Sequence, residues 1–236
     1  MINMETLFKN HFNTNKISDD DIQKFAEINL QRMSANNDGG EFTQMIADTT
    51  AAYTGYFGAI TDEDTKFAVQ QGLTIAMNNA MKGFQEWISK KAVHQVIGAF
   101  GEDSPVYQEF FPLGLSEYSQ ATIAKIEQLL ERVVNAANAH TAELGIPFLT
   151  SAQDYKNTFT AARESQLLKM GEVKDSKVDT SRSRDGLENE LMRNVFLIGS
   201  MYVGDIPRCM VFFDQSFIRD GSNGGGDEEP ETPPTP

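Results

Sequence analysis

The sequence predicts an all-α protein: a helical bundle of about six helices followed by a disordered, acidic, Pro-rich C-terminal tail. Three observations carry that expectation. Apolar residues recur at alternating spacings of three and four in several separate stretches, as they do on helices that pack along a heptad seam. Gly, Pro, Asn and Asp punctuate those stretches. From Asp220 onward the chain holds only Gly, Ser, Asn, acidic residues, Thr and Pro, with four of the eight prolines in the final seven positions. Such a composition offers no apolar surface to offset chain entropy. The expected organisation is an arm over residues 1–17, a bundle over 18–219 and the tail over 220–236.

A first helix is expected from Ser18, an N-cap followed by Asp19, Asp20 and Asp21, to about Ala35. Carboxylates in a first turn satisfy free backbone N–H groups and oppose the positive end of the helix dipole. A second helix, Glu41 to about Ile60, has Phe42, Ile46, Thr49, Tyr53, Tyr56 and Ile60 along one seam. Asp62-Glu63-Asp64 reads as the acidic start of a third, with Leu73, Met77, Ala80, Phe84 and Trp87 on its face and regularity lost after Ile88.

Between Gly98 and Leu115 the pattern stops, and Pro105, Pro112 and Gly114 are interleaved with aromatics. Loops are usually polar and superficial, so this apolar connector must pack down or face a partner. Tyr107, Phe110, Phe111 and Leu113 are the candidate interaction surface. The best-marked helix follows, Ser116 to Leu144, with a seam of Ile123, Ile126, Leu130, Val133, Ala137, His140 and Leu144 and a stop at Gly145 and Pro147. His140 is the one polar seam position, and it needs a partner.

A fifth helix is expected from Thr150 or Ser151 to about Met170. Val173 to Gly186 reads as a mobile polar loop, and a sixth helix as Leu187 to Val203. Cys209 to Phe213 is left between an added helical turn and an isolated strand. The two sides of the connector share a helix, turn, helix, longer helix rhythm that fits a diverged repeat of three helices, although residue identities do not align.

Composition bounds function more than it assigns it. The formal net charge of −14 disfavours nucleic acid and anionic lipid as partners, and removing the five acidic residues of the last 17 positions still leaves −9. The single cysteine, Cys209, excludes an intramolecular disulfide and fits a reducing compartment. Neither a signal peptide nor a membrane-spanning run is visible, so the expectation is a cytoplasmic protein.

Catalytic and cofactor signatures are not found. The three histidines, His11, His94 and His140, lack the spacing that zinc or di-iron sites require, and no P-loop, dinucleotide turn or nucleophile elbow occurs. Setting Gly186 at the sixth position of a calcium loop puts Met192 where the bidentate glutamate belongs. Cys209 beside Arg208 reads as a structural thiol. The expected function is a non-enzymatic structural or protein-interaction module that self-associates, with no cofactor or metal. The alternative is a bundle that binds a small apolar ligand in a cavity lined by Tyr53, Tyr56, Phe84 and Trp87.

Overall fold

The structure, a computed structural model, describes residues 4–14 and 16–218. The expected tail, 220–236, lies outside them. The elements in order are α1 (Met4–Phe8), α2 (Asp19–Ala35), α3 (Thr43–Trp87), a π-helical turn (Ile88–Ala92), α4 (Val93–Phe100) and α5 (Pro105–Phe110). There follow α6 (Ser116–Ser119), α7 (Ile123–Ala139), α8 (Thr141–Leu144), α9 (Ile146–Met201), α10 (Ile206–Met210) and a 3-10 turn (Gln215–Phe217). The fold is all-α. No strand occurs among the described residues, and Cys209 to Phe213 is the end of α10 and the turn after it.

Two expected interruptions are absent. Asp62-Glu63-Asp64 lies inside α3, because no Pro occurs there and an acidic cluster favours a helix start without enforcing one. Thr61 shows the choice directly: its hydroxyl donates back to the carbonyl of Phe57 at 2.9 Å instead of capping a new helix. The stretch 173–186, expected as a mobile loop, is helical within α9. Its buried positions, Val173 and Ser176, lead at spacings of four and three through Thr180 and Ser183 to Leu187, so the seam continues in small and polar residues. Pairs such as Arg182–Asp179 (3.0 Å) and Arg184–Glu188 (2.8 Å) add the local support that a polar helix uses.

The expected helix from Ser116 to Leu144 is instead broken twice. Thr122 is extended (ψ 165°) before α7, and His140 bends the chain after it (ψ 30°). The first break lets Tyr118 turn inward, where its hydroxyl donates to the carbonyl of Phe110 and burial pushes the phenol up to about 12. It also brings Glu117 onto Arg132 in a two-pronged pair of 2.7 and 3.2 Å. His140 finds its partner in Glu109, 2.9 Å from its Nε2.

The chain divides into two compact units, one of Met1–Asp62 with Lys177–Pro236 and one of Glu63–Ser176, where a single bundle over 18–219 was expected. The reason is visible in burial. Along α3 no residue between Tyr56 and Met77 is buried, so two separate clusters form. In the first unit Ile22, Phe25 and Met33 of α2 pack with Phe42, Tyr56, Leu187, Leu191 and Phe212. Ser18 caps α2 as expected, accepting from the Asp21 N–H at 3.1 Å.

Within that apolar core, Asn194 donates to Asn29 (3.1 Å) and Thr49 (2.7 Å), and Asn29 donates to the Phe212 carbonyl (3.0 Å). The three side chains are fully buried and come from α2, α3 and α9, so they fix one relative register of those helices. Among the described residues Asn194 Oδ1 has no partner, a cost that this register carries. In the second unit Met77, Phe84 and Ile88 pack against Phe110, Phe111, Tyr118, α7 and Phe159.

Two predictions test this packing. Replacing Asn29 with Leu leaves the Phe212 carbonyl and an Asn194 N–H unpaired, and should lower stability by about 1–3 kcal/mol in urea unfolding. The Arg132 hydrogen bond, against the opposing effect of burial, holds the Glu117 carboxyl below its ordinary value of 4.5. Its stabilising contribution is therefore full above that value and lost as pH falls through the lowered one. Glu117→Gln should be less stable than the parent at pH 7, and the difference should shrink on acidification below about pH 4.

Candidate functional site

The connector aromatics are divided by the fold. Phe110 and Phe111 are core residues, and Tyr107 is half-buried with its ring 4.9 Å from that of Phe111. Leu113 alone is strongly exposed, at 71%. Packing down therefore accounts for the apolar character of this segment, and the expected four-residue surface reduces to Leu113. Sequence could not separate these outcomes, because an aromatic that caps a core and one that meets a partner are the same residue type.

The four residues expected to line one cavity are also divided. Tyr53 and Tyr56 belong to the first unit, where their hydroxyls donate to Glu27 and Asp19. The bond to Glu27 pushes Tyr53 up to about 12, and burial is the larger cause of the rise at Tyr56. Phe84 and Trp87 belong to the second unit. Phe84 is enclosed in the core, and Trp87 lines an open cavity.

That cavity is part of a groove in the second unit. One face of α3 presents Ala76, Asn79, Ala80 and Gly83, and the facing side of α9 presents Ser151, Asp154, Tyr155, Thr158 and Ala162, around a cavity of about 640 Å³. A second cavity of about 620 Å³ shares Ser151 and Tyr155 with the first and adds Trp87, Lys90, Lys91, His94, Gln95 and Phe148. The shared residues place the two cavities side by side along the same faces of α3 and α9, as a trough in two parts. Small side chains keep it open in the first half: at Gly83, an added Cβ would already lie 3.6 Å from the Tyr155 ring. Aromatic rings hold its middle, with Trp87 centred 5.1 Å from Tyr155 and 5.3 Å from Phe148.

The π-helical turn shapes the second half. Here the Val93 N–H bonds to the Ile88 carbonyl, five residues back. The wider turn lets both Ile88 and Val93 face the core, and Lys90 and Lys91 are left exposed. This explains why apolar spacing loses regularity after Ile88; the irregularity was a legible signal of a helical bulge, a feature frequent at functional sites. Lys90 reaches Glu86 at 3.1 Å in an exposed pair. Lys91 and His94 have no acidic partner among the described residues, and the second cavity is lined by no carboxylate.

No cluster of three or more His, Cys, Asp or Glu suited to a metal occurs among the described residues. Nor is any helix among them long and apolar enough to cross a membrane. The chain matches no family model, and no curated protein or solved structure is significantly similar to it.

Gly83 offers a direct test of the groove wall. Glycine in a helix interior costs about 0.5–1 kcal/mol relative to alanine, and the added methyl would make ordinary contact with Tyr155. Gly83→Ala should therefore raise stability by roughly that amount, read as an increase in the thermal midpoint.

Proposed function

We propose that the second unit is a non-enzymatic binding module that holds an elongated apolar ligand in the groove between α3 and α9. The observation that carries this reading is the adjacency of two cavities that meet at Ser151 and Tyr155. Two cavities of about 640 and 620 Å³ share a wall, and small residues line one while aromatics line the junction. Ligand sites of this size are mostly apolar with a few placed polar groups, which is the composition found along Ala76, Ala80, Gly83, Tyr155 and Ala162. This favours the ligand-binding alternative, with a different set of lining residues from the one expected.

A second reading, self-association, is supported by another observation. Phe67 to Met81 is a fifteen-residue stretch of α3 with no charged side chain in a protein of net charge −14. Phe67, Val69 and Ile75 on it are exposed, as are Leu167 and Leu168 of α9. Apolar surface free of like charge is where a second copy could approach this acidic chain. Light scattering should then give a mass above one chain, and Leu168→Glu should return it to the monomer value.

Trp87 is the only tryptophan of the chain and lines the groove. Twelve-carbon aliphatic probes should therefore shift its emission in a saturable way and raise the thermal midpoint. Ala76 and Thr158 are exposed groove positions, and the double variant Ala76→Phe/Thr158→Phe should fill the trough and abolish both responses while the helical circular dichroism is retained. A parent protein that responds to no aliphatic probe would refute the ligand reading.

A further inference from the structure

We infer that the groove is directional and selects a long-chain carboxylate, with the anionic head at the Lys91–His94 end and the alkyl chain along Ala76 to Gly83. This deepens, and rests on, the proposed ligand-binding function. The argument is charge placement. The chain as a whole repels anions, yet the second cavity gathers Lys90, Lys91 and His94 with no carboxylate on its lining. Glu86 offsets Lys90 at 3.1 Å, which leaves Lys91 with its full charge and His94 as a ring able to donate a hydrogen bond. Asp154, the carboxylate on the first cavity's lining, lies beside the shared Tyr155 and not among the Lys91–His94 residues. An anionic head is thus attracted at the Lys91–His94 end, while the far end, where Ala76 faces Ala162, offers it no cation.

The dimensions and lining agree with an alkyl chain. From Trp87 back to Ala76 is eleven residues of α3, about 16 Å at the ~1.5 Å helical rise, a length suited to roughly a dozen carbons. The apolar part of that half is Ala76, Ala80, Gly83, Ala162 and the Tyr155 ring, beside the polar Asn79, Asp154 and Thr158, and burial of methylenes against the apolar part supplies affinity there. The π-turn sets the head site. By inserting one residue it carries Lys90 and Lys91 past the buried Ile88 while Trp87 stays on the groove. The head-group selectivity comes from exposed charges, whose attraction is modest and salt-screened, so the alkyl chain and the head must act together.

The test uses the full chain and follows Trp87 emission with dodecanoate, dodecanol, acetate and phosphatidylglycerol vesicles, each below its aggregation limit where one applies. Dodecanoate should bind at least about fivefold more tightly than dodecanol at low salt, a ratio that corresponds to one exposed ion pair. The preference should collapse in Lys91→Glu/His94→Glu, two exposed positions whose replacement leaves the core untouched. Acetate alone should not compete. Equal binding of dodecanoate and dodecanol, or a preference that survives the double variant, would overturn the head-group assignment while leaving the apolar groove in place. Binding of neither would remove both. Vesicle binding without dodecanoate binding would overturn the inference in favour of a membrane-facing surface.

Discussion

A helix continues until its hydrogen-bond ladder is interrupted, and in α3 and α9 nothing in the sequence interrupts it. Neither helix has Pro beyond its first turn, and the internal glycines cost about 1 kcal/mol each without breaking the ladder. Most of the structure depends on that persistence. Thr49 and Asn194 reach the buried polar trio from these two helices, Tyr56 and Arg184 converge on Asp19 from them, and their faces at Ala76–Gly83 and Ser151–Ala162 make the groove. The shorter helices add the remaining core side chains, and their breaks place the special contacts. Glu117 meets Arg132 only because α6 ends at Ser119 and α7 begins at Ile123.

How much of this was legible follows from what each signal measures. The heptad seams located the apolar faces of α2, α3 and α7, and Ser18 marked its cap, because burial and capping leave residue-type signatures at fixed spacings. Helix continuity left a weaker trace. Glu63, Lys66 and Gln70 carry the seam of α3 in polar side chains, and Ser176, Thr180 and Ser183 do so in α9, so a pattern read through apolar residues alone vanishes there. The breaks flanking α7 were equally quiet: neither Thr122 nor His140 is a residue whose type demands a bend.

The groove was harder to see than the fold for a related reason. A cavity is made by what side chains leave empty, and Ala76, Ala80 and Gly83 look like ordinary helix content until a second helix brings Ser151, Tyr155 and Thr158 opposite them. Aromatic residues drew attention to Tyr53, Tyr56 and Phe84, but large side chains that pack well close space instead of opening it. Trp87 is the exception because it stands at a boundary: 7% exposed, it belongs to the core and still forms one wall of the trough.

The division of the chain into nested units carries a consequence for how the protein is made. The second unit is one continuous segment, Glu63–Ser176, whereas the first joins Met1–Asp62 to residues from Lys177 onward. During synthesis from the N-terminus, Ile22, Phe25 and Met33 leave the ribosome long before Leu187, Leu191 and Phe212, which complete their core. The first unit must therefore wait for more than a hundred intervening residues, and closing so large a loop is entropically slow unless those residues have already condensed. A prefolded middle shortens the effective loop. Assembly of the first unit is thus kinetically subordinate to that of the second, and its apolar helices are the surfaces a nascent-chain chaperone would have to shield.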